Sequence, residues 1–485
     1  MSISKFWKEA MAYRLGGGHA ADHAALGFTS GSGFSPYLGQ VATRCVMADT
    51  KYTGYVQSMS RSVHRATEAL TSISLIFPNW GLGSSGDVAN NASATLQCSI
   101  EYPVGAFTQL KFSQSNIGNA APGANFVTDF ISVNIPKGAF FWVRSLYTST
   151  SSTGIYGAGA YNGLNFSPYY EGSVWSTTAN LSNLVMATGT GGSSGNNDGF
   201  NKPTPIYRPI AIVQMTSRPS VFVTGDSISA GLYDLPDAGG DAAGFFGRAI
   251  PFGTINAGRA GEWVTGLVST NYQYRSQLAQ YCSHVVTNYG TNDMTVGGYS
   301  AAQIVTSINT FYSTWFSGKP FFVSTILPTT PVSSDGWNTT VNQTVGSKEA
   351  VRLALNDSIR SGAVTAVNVI DLDKIWSSGN GSGLIIAAGL SQTLTSAVTN
   401  STVNITYASN TGVYVGMTVS GPGIPLKTVI ASVPTSTSAV MNNAATASAS
   451  GLTLTAYSTM TWDGLHPNHT GYVYIASQIN PAIFL

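Results

Sequence analysis

The sequence predicts a multidomain protein of the α/β plus β class, and three observations support this. The chain has 485 residues, whereas an ordinary domain has about 100–200. Residues 216–380 alternate buried strands with amphipathic helices, a pattern typical of a parallel sheet covered on both faces. Residues 36–215 and 384–457 instead contain short β-type runs broken by Gly, Pro, Asn and Ser, which favours antiparallel sheets.

The composition excludes several classes of protein. Charged residues make up 9% of the chain and hydrophobic residues 43%, which argues against disorder, because disordered chains combine few apolar residues with high net charge. The net charge of +1 provides no field for phosphates, so we expect no nucleic-acid partner. No window holds about 18 consecutive apolar residues, and we therefore expect no membrane span.

The cysteines and the first residues bear on disulfide formation, zinc binding and secretion. Cys45, Cys98 and Cys282 are far apart and odd in number, so they predict neither a disulfide framework nor a zinc site. Near the start, Lys8 and Arg14 lie where a secretory signal would have its apolar core. We therefore expect no signal peptide.

Residues 1–35 are predicted to be an N-terminal arm or linker, and residues 36–215 an antiparallel β-sandwich. The arm combines a short amphipathic stretch with a Gly-rich run and has no core of its own. In the β region, runs such as 126–136 and 139–147 are rich in β-branched and aromatic residues and are bounded by turn residues. Within this region, Arg61–Leu70 is predicted to be a helix or helical turn.

Residues 216–383 and 458–485 are predicted to form one α/β domain with a parallel sheet. Buried strands are expected at Val221–Thr224, Phe252–Ile255, Val285–Tyr289, 320–327 and 367–372. Apolar residues at helical spacing predict helices with stripes at Ile304, Ile308, Phe311 and Trp315 and at Val351, Leu355 and Ile359. A capping box over Ser300–Gln303 begins the first of these helices, and Gly362 ends the second.

Residues 384–457 differ from the segments on either side. They are rich in Thr, Ser, Ala and Val, contain frequent Gly, and carry hardly any charge. This composition is typical of short strands separated by tight turns. We interpret the segment as a small β module that interrupts the α/β domain.

Three short segments contain residue types that can act together in nucleophilic catalysis. Gly225-Asp226-Ser227 and Gly290-Thr291-Asn292-Asp293 each follow a predicted buried strand, and α/β sheets bind ligands at the carboxyl ends of such strands. Asp463-Gly464-Leu465-His466-Pro467 lies near the end of the chain. A His can take the proton of a Ser hydroxyl while an Asp holds the imidazole, and an Asn amide can donate to an oxyanion. Taken singly, each segment is more often an ordinary loop that satisfies its own backbone.

In this order, the three segments resemble the SGNH (GDSL) hydrolase family. The markers of that family are a Ser in GDS, a Gly, an Asn in GxND and a His in DxxHP, and Ser227, Asn292 and His466 match three of them. The Gly marker falls on Gly261, and Gly258 is the competing choice.

The resemblance implies an esterase with a serine nucleophile. It assigns Ser227, His466 and Asp463 to a catalytic triad. It assigns the backbone N–H groups of Ser227 and Gly261 and the side chain of Asn292 to the oxyanion hole. The chemistry it implies needs no metal and no cofactor.

The resemblance covers residues 216–380 and 458–485, and it implies an α/β/α, flavodoxin-like fold for them. The chain departs from the simple family pattern in the inserted segment 384–457, which affects access of the substrate rather than the chemistry. Trp263 and Trp462 flank the matched motifs, and either could line a subsite for a sugar ring. Simple core packing is the alternative for both tryptophans.

The two β-rich regions resemble accessory parts of phage and bacterial surface proteins. Segments 98–107 and 135–145 are similar to the β domain that precedes the hydrolase domain in some SGNH esterases of bacteria and their phages. Segment 415–425 is similar to small β modules of phage tail and bacterial surface proteins. A surface-type composition without a signal peptide fits a particle protein that is assembled in the cytoplasm and released by lysis.

We therefore expect a carbohydrate O-acetylesterase of a phage virion or tail. Its substrate would be an acylated bacterial surface polysaccharide, and residues 1–35 would contact other particle proteins. One alternative is a structural or receptor-binding particle protein that uses the esterase fold as a platform, and another is a bacterial glycan esterase outside the cell or on its surface. The low charge also fits burial between copies of the chain in a homo-oligomer.

Overall fold

The computed structural model describes residues 35–485, apart from 84–85, 153, 159–170, 190–205, 235–243, 269–270, 380, 388–390 and 426–427. The predicted arm, residues 1–35, lies outside the described residues except for Ser35. The chain divides into two compact units. The first contains the described residues up to Ile326, together with Ala354–Asp371 and Ile479–Leu485, and the second contains Leu327–Leu353 and Leu372–Gln478.

The first unit contains a six-stranded parallel sheet, and five of its strands overlap the predicted buried runs; the sixth, Cys45–Val46, comes from the region predicted to be a β-sandwich. In spatial order, the strands are Cys45–Val46, Gly253–Asn256, Ser220–Gly225, His284–Asn288, Phe321–Ser324 and Asn368–Ile370. Without the edge strand Cys45–Val46, their order is 2-1-3-4-5 along the chain, which is the order of flavodoxin-like sheets. Every residue of the four inner strands is buried, because both faces of such a sheet are covered.

Helices connect and flank these strands. In this part of the chain they are Ser227–Ala230, Gly244–Ala249, Gln273–Leu278, Thr291–Thr295, Ala301–Trp315 and Glu349–Arg360, with 3-10 turns at Val264–Gly266, Ala279–Tyr281 and Pro481–Phe484. Ala301–Trp315 begins at the predicted capping box of Ser300 and buries its predicted stripe apart from Trp315, which is partly exposed. Glu349–Arg360 ends two residues before Gly362, whose φ is +82° as expected of a helix-ending glycine. Among the described residues, no helix is long and apolar enough to cross a membrane.

The described residues between 37 and 216 form two antiparallel sheets around a shared apolar core. One sheet contains Tyr37–Gln40, Ala211–Thr216, Leu70–Pro78, Asn125–Val127 and Ile131–Ile135. The other contains Gly118–Ala120, Ala94–Glu101, Phe107–Gln109, Phe140–Ser149, Gln57–Arg65 and Gly172–Ser176. Thr50–Tyr52 pairs with Ile155–Gly157 in a separate two-stranded sheet, and Trp80–Gly83 and Gly86–Ala89 form a hairpin. This region and the parallel sheet belong to the same compact unit, and Cys45–Val46 pairs directly with Gly253–Asn256.

The prediction of a helix over Arg61–Leu70 was wrong. This segment is the end of the strand Gln57–Arg65, a short turn, and the start of the strand Leu70–Pro78. Its polar residues Arg61, Ser62 and His64 are buried in the sheet, where the Arg61 guanidinium donates to both carboxylate oxygens of Glu101, at 2.8 and 2.9 Å. A strand buried on both faces loses the alternation of polar and apolar residues that identifies an ordinary strand.

The second unit contains a six-stranded antiparallel sheet with its own apolar core. In spatial order, its strands are Thr418–Ser420, Ser448–Tyr457, Ser391–Asn400, Asn404–Thr406, Ser438–Met441 and Ile430–Thr435. All of them fall within the segment 384–457 that is predicted to be a β module, and the four-region division of the chain stays a prediction. This unit also contains the small strand pair Val332–Ser333 and Gln343–Thr344 and the helices Leu372–Trp376 and His469–Gln478.

Candidate active site

Ser227 lies on a tight turn at the carboxyl end of a central strand of the parallel sheet. The strand ends at Gly225, whose φ of +149° disfavours other residues, and a Cβ there would lie 2.3 Å from the Ser229 hydroxyl. The Asp226 carboxylate then caps a one-turn helix by accepting from the backbone N–H two residues on, at 2.9 Å. This turn, residues 225–231, is called the serine turn below. It keeps Ser227 itself mostly buried, with 7% of its surface exposed.

A second loop, residues 257–268, packs directly against the serine turn and is called the glycine loop below. The backbone N–H of Arg259 donates to the carbonyl of Gly225 at 2.9 Å, and the Asn256 amide that precedes the loop donates to the carbonyl of Ser229 at 2.9 Å. A Cβ on Gly258 would approach the backbone nitrogen of Ala230 to 2.8 Å. The two segments therefore fix each other through their backbones.

The two candidate glycines of this loop have different surroundings. The N–H of Gly258 donates to the side-chain oxygen of Asn256 at 3.0 Å, so the loop itself uses this donor. Gly261 is exposed, has a φ of +76°, and no atom lies within 4 Å of a Cβ built on it. This favours Gly261 over Gly258 as the donor to a bound group, and the assignment stays a prediction.

Asn292 and Asp293 lie in the first turn of the short helix Thr291–Thr295, which follows the next strand of the sheet, and both are hydrogen-bonded to the glycine loop. The Asn292 amide donates to the carbonyl of Glu262 at 3.0 Å. Since an amide nitrogen carries two hydrogens, this bond leaves a second one to donate. The Asp293 carboxylate accepts from the backbone of Val264 and from the backbone and hydroxyl of Thr265, at 3.2, 2.9 and 2.6 Å. Burial raises the pKa of Asp293, which acts here as a support of the loop.

In the second unit, Asp463 and His466 form a hydrogen-bonded pair. The Asp463 carboxylate lies 2.7 Å from Nδ1 of His466, and its other oxygen accepts from the backbone N–H groups of Leu465 and His466 at 2.9 Å each. Burial raises the pKa of Asp463, but the hydrogen bonds and the charge of His466 outweigh it, so the pKa lies below the ordinary value. A neutral His466 therefore carries its proton on Nδ1, and its lone pair is on Nε2. This is the arrangement that a general base needs.

The segment 459–468, called the histidine loop below, is fixed by contacts within its own unit. Gly464 has a φ of +71°, and a Cβ there would overlap the carbonyl of Thr330. Thr330 donates its N–H to the Gly464 carbonyl at 2.7 Å, and the Trp337 indole donates to the Thr330 carbonyl at 2.8 Å. At the end of the loop, the Asn468 amide donates to the carbonyl of Thr459 at 2.8 Å.

The two tryptophans that flank the motifs are both partly exposed. Trp462 donates its indole N–H to the hydroxyl of Thr418 at 3.2 Å, which joins the histidine loop to the sheet of the second unit. Trp263 meets Tyr299 edge to face, with the ring centroids 6.5 Å apart. Beside Tyr299 is an open concavity of about 350 Å³, also lined by Thr265 and Gln303. The substrate-binding roles of both tryptophans stay predictions.

Sequence reasoning missed a buried ionic cluster behind the glycine loop. Arg275 lies between the carboxylates of Glu262 and Asp87, and the Tyr289 hydroxyl donates to Glu262. Its members come from segments that are far apart in the chain, and none belongs to a recognisable motif. The position of Glu262, directly after Gly261, was the one signal available in the sequence.

No protein-family model and no curated protein matches the chain. Solved structures match parts of it. A member of the lipolytic protein G-D-S-L family from Veillonella parvula DSM 2008 is 18% identical and covers 32% of this chain and 79% of its own, with a TM-score of 0.24. A carbohydrate esterase of family 3 from Talaromyces cellulolyticus is 21% identical and covers 32% of this chain and 81% of its own, with a TM-score of 0.22. The aryl esterase of M. smegmatis is 13% identical and covers 35% of this chain and 92% of its own, with a TM-score of 0.26. Each of these three similarities covers about a third of the chain.

Proposed function

We propose that the protein is a serine esterase of the SGNH type. The observation that carries this proposal is the Asp463–His466 pair, whose 2.7 Å hydrogen bond puts the basic lone pair of the imidazole on Nε2. Support also comes from Ser227, which follows a buried strand on a tight turn, and from Asn292 and Gly261 on the segments beside that turn.

In the proposed reaction, Nε2 of His466 takes the proton of the Ser227 hydroxyl as the oxygen attacks an ester carbonyl. The N–H groups of Ser227 and Gly261 and the amide of Asn292 stabilise the negative charge on the carbonyl oxygen. The intermediate expels the alcohol, which takes the proton back from His466. Water, deprotonated by His466, then attacks the carbonyl of the acyl-enzyme. The bond between this carbon and Ser227 Oγ breaks, Ser227 takes the proton back from His466, and the acid leaves. The proposal requires a hydrogen bond between Ser227 Oγ and His466 Nε2 in the active enzyme.

We further propose that the substrate is a polysaccharide carrying O-acetyl or similarly short acyl groups. The partly exposed Trp263–Tyr299 pair and the concavity with Thr265 and Gln303 combine aromatic surface with hydroxyl and amide groups. Such a surface suits a sugar, which presents apolar faces and hydroxyl edges. The sequence around the motifs contains no long apolar stretch of the kind that a long acyl chain would need.

The setting that fits best is a phage particle, with residues 1–35 as the contact to other particle proteins. Support comes from the composition, in which only 9% of the residues are charged. Co-purification of the protein with intact particles tests this setting. Recovery of the protein only from particle-free culture fluid would instead favour a bacterial enzyme.

The esterase proposal is tested with 4-nitrophenyl esters of two, four and eight carbons, comparing wild type with Ser227→Ala. We expect rapid cleavage of the acetate, a fall in rate with chain length, and loss of activity in the variant. Ser229→Ala is a matched control, because Ser229 is a second buried serine of the same turn. It should retain activity. A folded wild type that cleaves none of the esters would favour a platform role in a particle, and a fully active Ser227→Ala would refute the nucleophile.

A further inference from the structure

The centre of the buried cluster behind the glycine loop is Arg275, whose side chain is fully buried. Its guanidinium donates to both carboxylate oxygens of Glu262, at 2.8 and 2.7 Å, and to the carbonyl of Ala257, at 3.0 Å. On its other side, Nε donates to the Asp87 carboxylate at 2.5 Å. The Tyr272 ring faces the guanidinium at 4.0 Å. One cation thus joins two carboxylates in a space from which water is excluded.

Both carboxylates of the cluster accept further hydrogen bonds, which fix their positions. The second oxygen of Asp87 accepts from the backbone N–H groups of Tyr274 and Arg275, at 2.9 and 2.8 Å. Glu262 accepts from the Tyr289 hydroxyl at 2.5 Å. Buried charges are costly unless they are paired and hydrogen-bonded, and an apolar cluster of the same volume would often serve stability as well. A fully satisfied polar network, by contrast, specifies one geometry.

Glu262 connects this geometry to two of the proposed oxyanion donors. It follows Gly261 directly in the chain, and its N–H donates to the carbonyl of Arg259 at 3.3 Å, which closes the turn that contains Gly261. Its carbonyl accepts the hydrogen bond from the Asn292 amide, at 3.0 Å. A displacement of about 1 Å in a catalytic group is enough to cost roughly 10²-fold in rate. The rigidity of Glu262 therefore matters for catalysis.

Asp87 comes from the antiparallel region, on the hairpin formed by Trp80–Gly83 and Gly86–Ala89. This hairpin packs against the segment that contains Arg275. The rings of Trp80 and Tyr274 stack with their centroids 5.5 Å apart, and the N–H of Asp87 donates to the carbonyl of Asn271 at 2.8 Å.

We propose that Asp87 is a positioning residue of the oxyanion hole, acting through Arg275 and Glu262. This inference rests on the proposed esterase function and extends it. The antiparallel region then supplies part of the support of the catalytic centre, in addition to any role as a separate binding module.

The first test is Asp87→Asn, which keeps the shape of the side chain and removes the charge that pairs with Arg275. The readout is kcat on 4-nitrophenyl acetate, divided by the fraction of Ser227 that a fluorophosphonate labels. A variant that is merely less folded loses labelled sites but keeps its kcat per site. We expect kcat per labelled site to fall about 10–100-fold, with KM changed by less than about twofold, because a misplaced donor weakens the transition state more than the substrate complex.

Glu101→Gln is the matched control. Glu101 is also a buried carboxylate held by arginines, Arg61 and Arg144, each with Nε 2.8 Å away, and it lies in the core of the antiparallel region. We expect this variant to lose stability in a urea titration and to keep its kcat per labelled site. An equal loss of kcat per site in both variants would show that the effect of Asp87 is only structural and would overturn the inference.

A milder pair of variants covers the case in which Asp87→Asn does not fold. Tyr289→Phe removes only the hydroxyl that donates to Glu262, and Tyr147→Phe removes a similarly buried hydroxyl that donates to Asn79 at 2.7 Å. Loss of one hydrogen bond predicts a fall of about 3–10-fold in kcat per site for Tyr289→Phe alone. An unchanged kcat per site in Tyr289→Phe would contradict the inference.

A wild type that neither cleaves esters nor is labelled would instead refute the esterase proposal, and the inference with it.

Discussion

The serine turn with its glycine loop and the histidine loop are stabilised by contacts of very different range. In the histidine loop, Asp463 is bonded to His466 and to the intervening backbone, and the Asn468 amide closes the loop on Thr459. Thr330 and Thr418 reach this loop from more distant segments of the same unit. In contrast, the glycine loop depends on Arg275 and on Asp87, which are 188 residues apart in the chain.

This difference shows that catalytic groups can be positioned either by contacts within one short loop or by contacts between distant segments. A base and its carboxylate need one short hydrogen bond, and the four residues Asp463–His466 of a tight loop provide it. An oxyanion hole needs donors from several segments to converge on one point, so its geometry depends on whatever holds those segments together. We therefore expect substitutions in the histidine loop to act on chemistry with little effect elsewhere, and substitutions around the glycine loop to couple chemistry to packing.

The largest effect is expected for Asp463→Asn. The amide oxygen can still accept from the backbone of Leu465 and His466, but the amide group no longer fixes the proton on Nδ1 or stabilises the imidazolium. We expect kcat to fall by about 10⁴-fold, the effect of this change in a serine-protease triad. The measurement is kcat on 4-nitrophenyl acetate with a thermal unfolding curve beside it. A loss of less than about tenfold would remove Asp463 from the triad.

The lowered pKa of Asp463 adds a pH test of the same pair. A carboxyl whose pKa is lower in the folded than in the unfolded chain contributes stability above its unfolded pKa, near 4, and that contribution is lost as the pH falls through the folded pKa. We expect wild type to be more stable than Asp463→Asn at pH 7, with the difference shrinking below about pH 4. Urea titrations at several pH values measure it, and a difference that grows on acidification would contradict the assignment.

The next largest effect is expected for Asn292→Ala. Loss of one oxyanion donor typically costs about 10²–10³ in kcat, and here the substitution also releases the carbonyl of Glu262. Thr295→Ala is the control, since Thr295 lies on the same short helix and its hydroxyl only donates to the carbonyl of Thr291. A similar loss of kcat in both variants would mean that the helix, and not the amide, is responsible.

A smaller effect should distinguish the two glycines. In Gly258→Ala the new Cβ would lie 2.8 Å from the backbone nitrogen of Ala230, so the serine turn must shift, and we expect kcat to fall by up to about 10². In Gly261→Ala the Cβ meets no atom within 4 Å, and the positive φ costs about 1–2 kcal/mol of stability while the N–H remains. Parallel measurements of kcat and unfolding check both. A greater loss of kcat in Gly261→Ala than in Gly258→Ala would contradict this prediction. It would show that a side chain at the exposed position 261 disturbs catalysis more than a shift of the serine turn.

The contrast between local and distant contacts also explains how much could be predicted from sequence. The strands of the parallel sheet are continuous buried runs, and Ser227, Asn292 and the Asp463–His466 pair lie in short motifs whose geometry is set within a few residues. The Arg275 cluster joins segments that no local pattern relates. The same cause underlies the wrong helix at Arg61–Leu70, where the burial of Arg61 depends on Glu101 from another strand.

The smallest effect concerns a buried histidine of the first unit. His64 is fully buried, lies 3.0 Å from the carbonyl of Thr43 through Nδ1 and 2.9 Å from the hydroxyl of Ser62 through Nε2. Burial, together with the charges of Arg208 and Arg44, lowers the pKa of His64 to about 3.

Because its folded pKa is lowered, His64 stays neutral in the fold while the unfolded chain takes up a proton below about pH 6.5. Stability is therefore lost as the pH falls from about 6.5 toward 3, by at most about 1.4 kcal/mol per pH unit, or a factor of about ten in the folding equilibrium. His64→Gln keeps a donor and an acceptor and does not titrate, so its unfolding free energy should change less between pH 7 and pH 5 than that of wild type. Equal pH dependence in urea titrations would mean that His64 does not contribute. The stability contribution of Asp463 is retained in full above about pH 4. On acidification, the effect of His64 should therefore begin before that of Asp463, and urea titrations between about pH 6.5 and pH 4 measure His64 without a contribution from Asp463.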